Sequence, residues 1–132
     1  MQPNPSMSTM IKLMVVDDST LIRRKIIRES DQQKFVIVAD ASNGLEAVDR
    51  FVEHQPQVVT MDLTMPELDG IGCIEKLMAL DPDIHILVIS ALSDQSIGIE
   101  AIEKGAAGFL IKPLTQAQLL DALTIISEDI ER

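Results

Sequence analysis

Apolar residues are arranged in two alternating ways along this chain. Short runs, Ile11 to Val16 (IKLMVV), Phe35 to Ala39 (FVIVA), Val58 to Met61 (VVTM), Ile84 to Ile89 (IHILVI) and Gly108 to Ile111 (GFLI), are separated by longer stretches with helical spacing. The short runs are mostly apolar and rich in β-favouring residues, as strands covered on both faces are. The longer stretches read as amphipathic helices. Their stripes are Leu21, Ile22 and Ile26; Leu45, Val48, Phe51 and Val52; Ile71, Ile74, Leu77 and Met78; a weaker segment from Ser93 to Lys104; and Leu119, Leu120, Leu123, Ile126 and Ile130. Ser19 and Thr115 suit N-caps, Pro56 and Asp81-Pro82 close the second and third helices, and Gly105 suits the residue after the fourth. Strands alternating with helices predict right-handed βαβ crossovers and a parallel sheet with helices on both faces.

Polar residues follow the strands in a telling way. Asp17 and Asp18 follow the first, Asp62 the third, Ser90 the fourth and Lys112 the fifth. In a parallel sheet all five share the carboxyl rim, where open α/β sheets bind ligands. Three clustered carboxylates resist full ionisation unless a cation joins them. An oxygen-only donor set suits Mg²⁺. The Lys112 ammonium and the Ser90 hydroxyl are not needed for a metal, but both suit a phosphoryl group arriving beside it. Asp62, on the central strand, is then the candidate nucleophile for an aspartyl phosphate, because an ionised carboxylate needs no general base.

Composition narrows the alternatives. A chain of 132 residues fits one domain, placed at 10–132, behind a loose polar leader at 1–9. That leader has no basic residue and no apolar core of a secretory signal, and no run approaches the length of a membrane helix. The net charge of −10 argues against direct nucleic-acid binding. Cys73 is the only cysteine, so an intramolecular disulfide is excluded; it reads as a small buried hydrophobe, and the cytoplasm is the expected compartment.

The chain resembles the receiver domain of bacterial response regulators, in particular the stand-alone CheY-like proteins. The resemblance rests on Val15-Val16-Asp17-Asp18-Ser19, the run from Met61 to Gly70 (MDLTMPELDG), Ser90-Ala91, Gly105 to Phe109 (GAAGF) and Lys112-Pro113. It covers nearly everything from Ile11 onward. It implies a flavodoxin-like (βα)5 fold with strand order 2-1-3-4-5. It further implies that Asp62 accepts a phosphoryl group from a sensor histidine kinase or phosphotransfer protein, with Mg²⁺ held by Asp17 or Asp18, Asp62 and the Thr64 backbone carbonyl. Ser90 and Lys112 would contact the phosphoryl oxygens, Phe109 matches the switch aromatic, and the peptide before Pro113 is one the family often holds cis. Output is expected through the face of the fourth helix, fifth strand and fifth helix, towards a downstream protein such as the flagellar motor or another regulator. The chain is expected to be a monomer, with dimerisation on phosphorylation as the alternative.

Other readings compete with this one. The chain ends at its fifth helix, so it is expected either to work by docking alone or to be the receiver fragment of a multidomain regulator. A small phosphatase using an aspartyl phosphate would want a second acid two residues after Asp62, where Thr64 stands. A flavodoxin-like electron carrier is disfavoured by the strand-end acids and by the lack of Trp and Tyr. His54 and His85 have no metal-ligand spacing, Asp69 suits a turn beside Gly70, and Arg23, Arg24, Lys25 and Arg28 read as a solvated helix face. The switch aromatic is Phe109, so no phenol hydroxyl contributes to output. Thr64 and Leu92 sit where the family tunes hydrolytic water, and apolar Leu92 is expected to lengthen the phosphoryl lifetime. Leu92→Glu should therefore lose phosphate faster than wild type in a decay assay; an unchanged rate contradicts this.

Overall fold

The computed structural model describes residues 10–65, 67–91 and 95–131. The leader at 1–9, Pro66 of the central motif and Leu92 lie outside these residues. Ten elements alternate: β1 (Ile11–Val16), α1 (Thr20–Glu29), β2 (Phe35–Ala41), α2 (Gly44–His54), β3 (Val58–Met61), α3 (Gly70–Leu80), β4 (His85–Ser90), α4 (Gln95–Glu103), β5 (Gly108–Ile111) and α5 (Gln116–Glu131). The strands form one parallel sheet in the order β2-β1-β3-β4-β5. The parallel sheet is the one the sequence pattern implied, and its strand order is the flavodoxin-like one the resemblance implied.

Side-chain alternation along the strands divides the interior in two. Met14, Val16, Val59, Met61, Ile86 and Val88 point to one face, where Phe51 of α2 and Cys73 and Leu77 of α3 cover them. Leu13, Val15, Val58, Leu87 and Ile89 point to the other, against Ile26 of α1 and Leu119 and Leu123 of α5. The absence of polar alternation in the strands is thus the signature of a sheet buried on both sides. Among the described residues no helix is long and apolar enough to cross a membrane.

The helix ends follow local chemistry. Ser19 accepts from the Ile22 amide, Asn43 from the Glu46 amide, Asp69 from the Gly72 amide and Thr115 from the Gln118 amide. Asp69 is therefore the N-cap of α3, in keeping with its expected turn role. Gln55 (φ 49°) and Gly105 (φ 117°) adopt left-handed conformations after α2 and α4. Two boundaries differ from the sequence reading. β2 runs on through Asp40 and Ala41, which pair with Val15 and Val16, because β1 offers an open ladder that outweighs their weak strand preference. β4 starts at His85 and includes Ser90.

Two buried positions have opposite tolerances. A methyl group on Gly70 would lie 2.4 Å from both the Asp62 carbonyl oxygen and the Leu63 Cα, so this glycine lets the start of α3 close onto the strand end that carries Asp62. Thr60, on β3, buries a hydroxyl that has no hydrogen-bond partner among the described residues. In chemical denaturation, Gly70→Ala should cost about 1–3 kcal/mol through overpacking. Thr60→Val should instead leave stability unchanged or raise it by about 1 kcal/mol, since it removes an unpaired polar group. Equal losses from both would contradict this packing.

Candidate functional site

The backbone ladder continues one residue beyond the strands and carries the polar residues with it. The Asp17 amide donates to the Ala41 carbonyl (3.0 Å), the Asp62 amide to the Val16 carbonyl (3.0 Å) and the Lys112 amide to the Ser90 carbonyl (2.8 Å). Asp17, Asp62 and Lys112 are therefore fixed relative to one another by main-chain bonds.

Ligand-capable oxygens of Asp17, Asp18 and Asp62 all lie within 4.8 Å of one another, with Asp17 and Asp62 buried and Asp18 exposed. The Lys112 ammonium donates to Asp17 Oδ2 at 2.6 Å and stands 3.8 Å from Asp62 Oδ2. Asp17 Oδ1 accepts from the Ser19 amide (2.9 Å), and Asp62 Oδ1 accepts from the Thr64 amide (3.3 Å). One ammonium thus meets the two buried carboxylates of a three-carboxylate cluster. Burial pushes the Asp62 carboxyl up to about 6; Lys112 pulls it down, Asp17 and, less strongly, Asp18 push it up, and the Thr64 N–H favours the ionised form.

The remaining sequence candidates fall around this cluster. Ser90 is fully buried as the last residue of β4, in register with Ile111. The Thr64 residue is exposed in the loop after Asp62. Phe109 is half-buried on β5 beneath α4, where a Cβ on Gly98 would meet its ring at 3.6–3.8 Å. It packs against the core cluster of that face. The Lys112-Pro113 peptide is cis. His85 pairs with Asp129 (2.8 Å) and His54 lies near Glu53 (3.8 Å). Among the described residues, the aspartate trio is the one metal-capable cluster.

The reading of the basic residues on α1 as a solvated face holds only in part. Arg24 and Arg28 are exposed, but Lys25 donates to the Leu114 carbonyl (3.3 Å) and Arg23 turns inward to the Asp17 carbonyl (2.7 Å). A sequence signal existed for Arg23. A cation in the first turn of a helix opposes the helix dipole, so its presence there asks for a compensating partner.

Comparison with known proteins agrees with this geometry. The response regulator receiver domain family matches residues 13–124. The chemotaxis protein CheY of Listeria monocytogenes is 42% identical over 117 residues, covering 86% of this chain and 96% of that protein. The CheY of Bacillus subtilis is 38% identical over 112 residues, covering 85% and 93%. Among solved structures, the CheX-CheY-BeF3-Mg²⁺ complex from Borrelia burgdorferi contains a chain that is 31% identical, with a TM-score of 0.85 and coverage of 89% of each chain. With strand order, acid cluster and sequence in agreement, the chain belongs to the response regulator receiver domain family, as a CheY-like signal switch of the two-component type.

Proposed function

We propose that this chain accepts a phosphoryl group on Asp62 from a phosphohistidine of a sensor histidine kinase or phosphotransfer protein, and that the phosphorylated form changes its choice of protein partner. The observation that carries the proposal is the cluster of three carboxylates within 4.8 Å against the single Lys112 ammonium. In the transfer, an Asp62 carboxylate oxygen forms the new bond to phosphorus while the phosphorus–nitrogen bond of the histidine breaks. The leaving imidazole keeps the electron pair.

The donor set fits a magnesium ion: it is all oxygen and carries excess negative charge, and burial, with a smaller push from Asp17 and Asp18, raises the Asp62 carboxyl to about 6. Asp17, Asp18, Asp62 and the Thr64 carbonyl would hold it. Bound there, it would neutralise the charge on the carboxylates and on the incoming phosphoryl oxygens. Lys112 supplies the second positive charge, and its bond to Asp17 keeps its ammonium beside Asp62. Ser90 is assigned the role of phosphoryl contact and Phe109 that of the aromatic that follows it. Pro113 shapes the turn after Lys112. Such a device shifts an existing equilibrium through contacts that differ between its two states. The only reactions it would assist are its own phosphorylation and dephosphorylation.

The face of α4, β5 and α5 is the proposed output surface. Ile99 and Ile102 on α4, Ile111 on β5 and Ile125 on α5 are all exposed, at 48–68% of their surface. Exposed apolar side chains on these three elements suit a protein partner. Intact-mass measurement after incubation with acetyl phosphate and Mg²⁺ should show one added phosphoryl group, lost on hydroxylamine treatment. Asp62→Asn, or removal of the metal with a chelator, should reduce incorporation by at least about 100-fold, because both the nucleophile and its charge neutralisation are needed. Undiminished incorporation in Asp62→Asn would contradict the assignment.

A further inference from the structure

We infer that Arg23 is a positioning residue for the acid cluster, holding the Asp17 main chain so that the Asp17 and Asp18 carboxylates face the cation that joins them to Asp62. This rests on the function proposed above. Arg23 leaves α1 at its first turn, where the helix dipole disfavours a cation. Its side chain is only 15% exposed, and its planar fork reaches three groups. Nη1 donates to the Asp17 carbonyl at 2.7 Å, Nη2 to Thr20 Oγ1 at 3.4 Å, and Nε lies 3.4 Å from Asp40 Oδ2. The short carbonyl contact is charge-assisted and is the strongest of these.

Its consequence follows from main-chain geometry. The Asp17 N–H is already tied to Ala41 of β2, so Arg23 secures the same residue from its carbonyl side. The carbonyl it holds is in the peptide plane shared with the Asp18 nitrogen, so one bond orients the attachment of two carboxylates. Asp40 anchors the other end of the fork to the end of β2, bracing two neighbouring strands across the rim. Arg23 meets a carbonyl and not the cluster's carboxylates. It can hold their backbone without competing with a cation for their oxygens. A lysine, with one ammonium on a flexible stem, cannot span the same three groups.

Isothermal titration of Mg²⁺ into wild type, Arg23→Ala and Arg23→Lys, with melting temperatures and acetyl-phosphate rates at saturating Mg²⁺, tests this. Loss of a residue that orients metal ligands typically weakens metal binding 10–100-fold, so Arg23→Ala should raise the Mg²⁺ Kd about tenfold or more. Arg23→Lys should recover only a small part. The rate at saturating Mg²⁺ should stay within about threefold of wild type, since Asp62 and Lys112 are untouched. Should Arg23→Ala not fold, Arg23→Met, which keeps the apolar stem and removes every N–H donor, is read the same way. Wild-type Mg²⁺ affinity in the variants, even with a lowered melting temperature, overturns the inference. Failure of the wild type itself to bind Mg²⁺ would instead contradict the proposed function, and the inference with it.

Discussion

The structure turns on an electrostatic imbalance that the sheet imposes. Three parallel-ladder hydrogen bonds bring Asp17, Asp62 and Lys112 to one rim, and Asp18 follows Asp17 into the same cluster. Three carboxylates with one ammonium would be avoided in a site built for stability alone, since an ionised group buried beside like charges is costly. Two-sided coverage of the sheet, the glycine that lets α3 close on Asp62, and the bracing of Asp17 all hold this arrangement together. On the proposed function, a divalent cation held by these carboxylates would offset their excess negative charge and that of an incoming phosphoryl group.

The same arrangement suggests how a local event could reach a distant surface. Ser90 ends β4 and pairs with Ile111, an exposed residue of β5, while Phe109 on the same strand lies under α4 beside Gly98. A shift at Ser90 is thus one ladder step from Ile111 of the proposed output face. Sub-ångström changes at a site can be amplified where packed elements have two arrangements.

Much of this was legible in the sequence because the signals were local. Mostly apolar runs without polar alternation indicated strands buried on both faces, and acids directly after the first and third of those runs indicated the rim. Asp69 and Ser19 read correctly as turn and cap residues because side-chain capping depends on three-residue spacing. The extension of β2 through Asp40 was hidden, since it depends on an unpaired ladder of β1 and not on Asp40 itself. Arg23 was missed for a related reason. Helical periodicity puts it beside solvent-facing residues, whereas its length lets it reach back past the cap to Asp17.

Titration of the Asp62 carboxyl by carbon NMR, with and without Mg²⁺, tests most directly the burial of Asp62 among like charges that a cation would offset. A folded-state value raised from 3.8 to about 6 means that ionised Asp62 costs the fold stability above pH 6, a cost relieved as the pH falls through that value. The expected midpoint is near 6 in the metal-free protein, with a fall of at least about one unit on saturation with Mg²⁺. A midpoint in the ordinary carboxylate range without metal, or one that Mg²⁺ leaves in place, would contradict it.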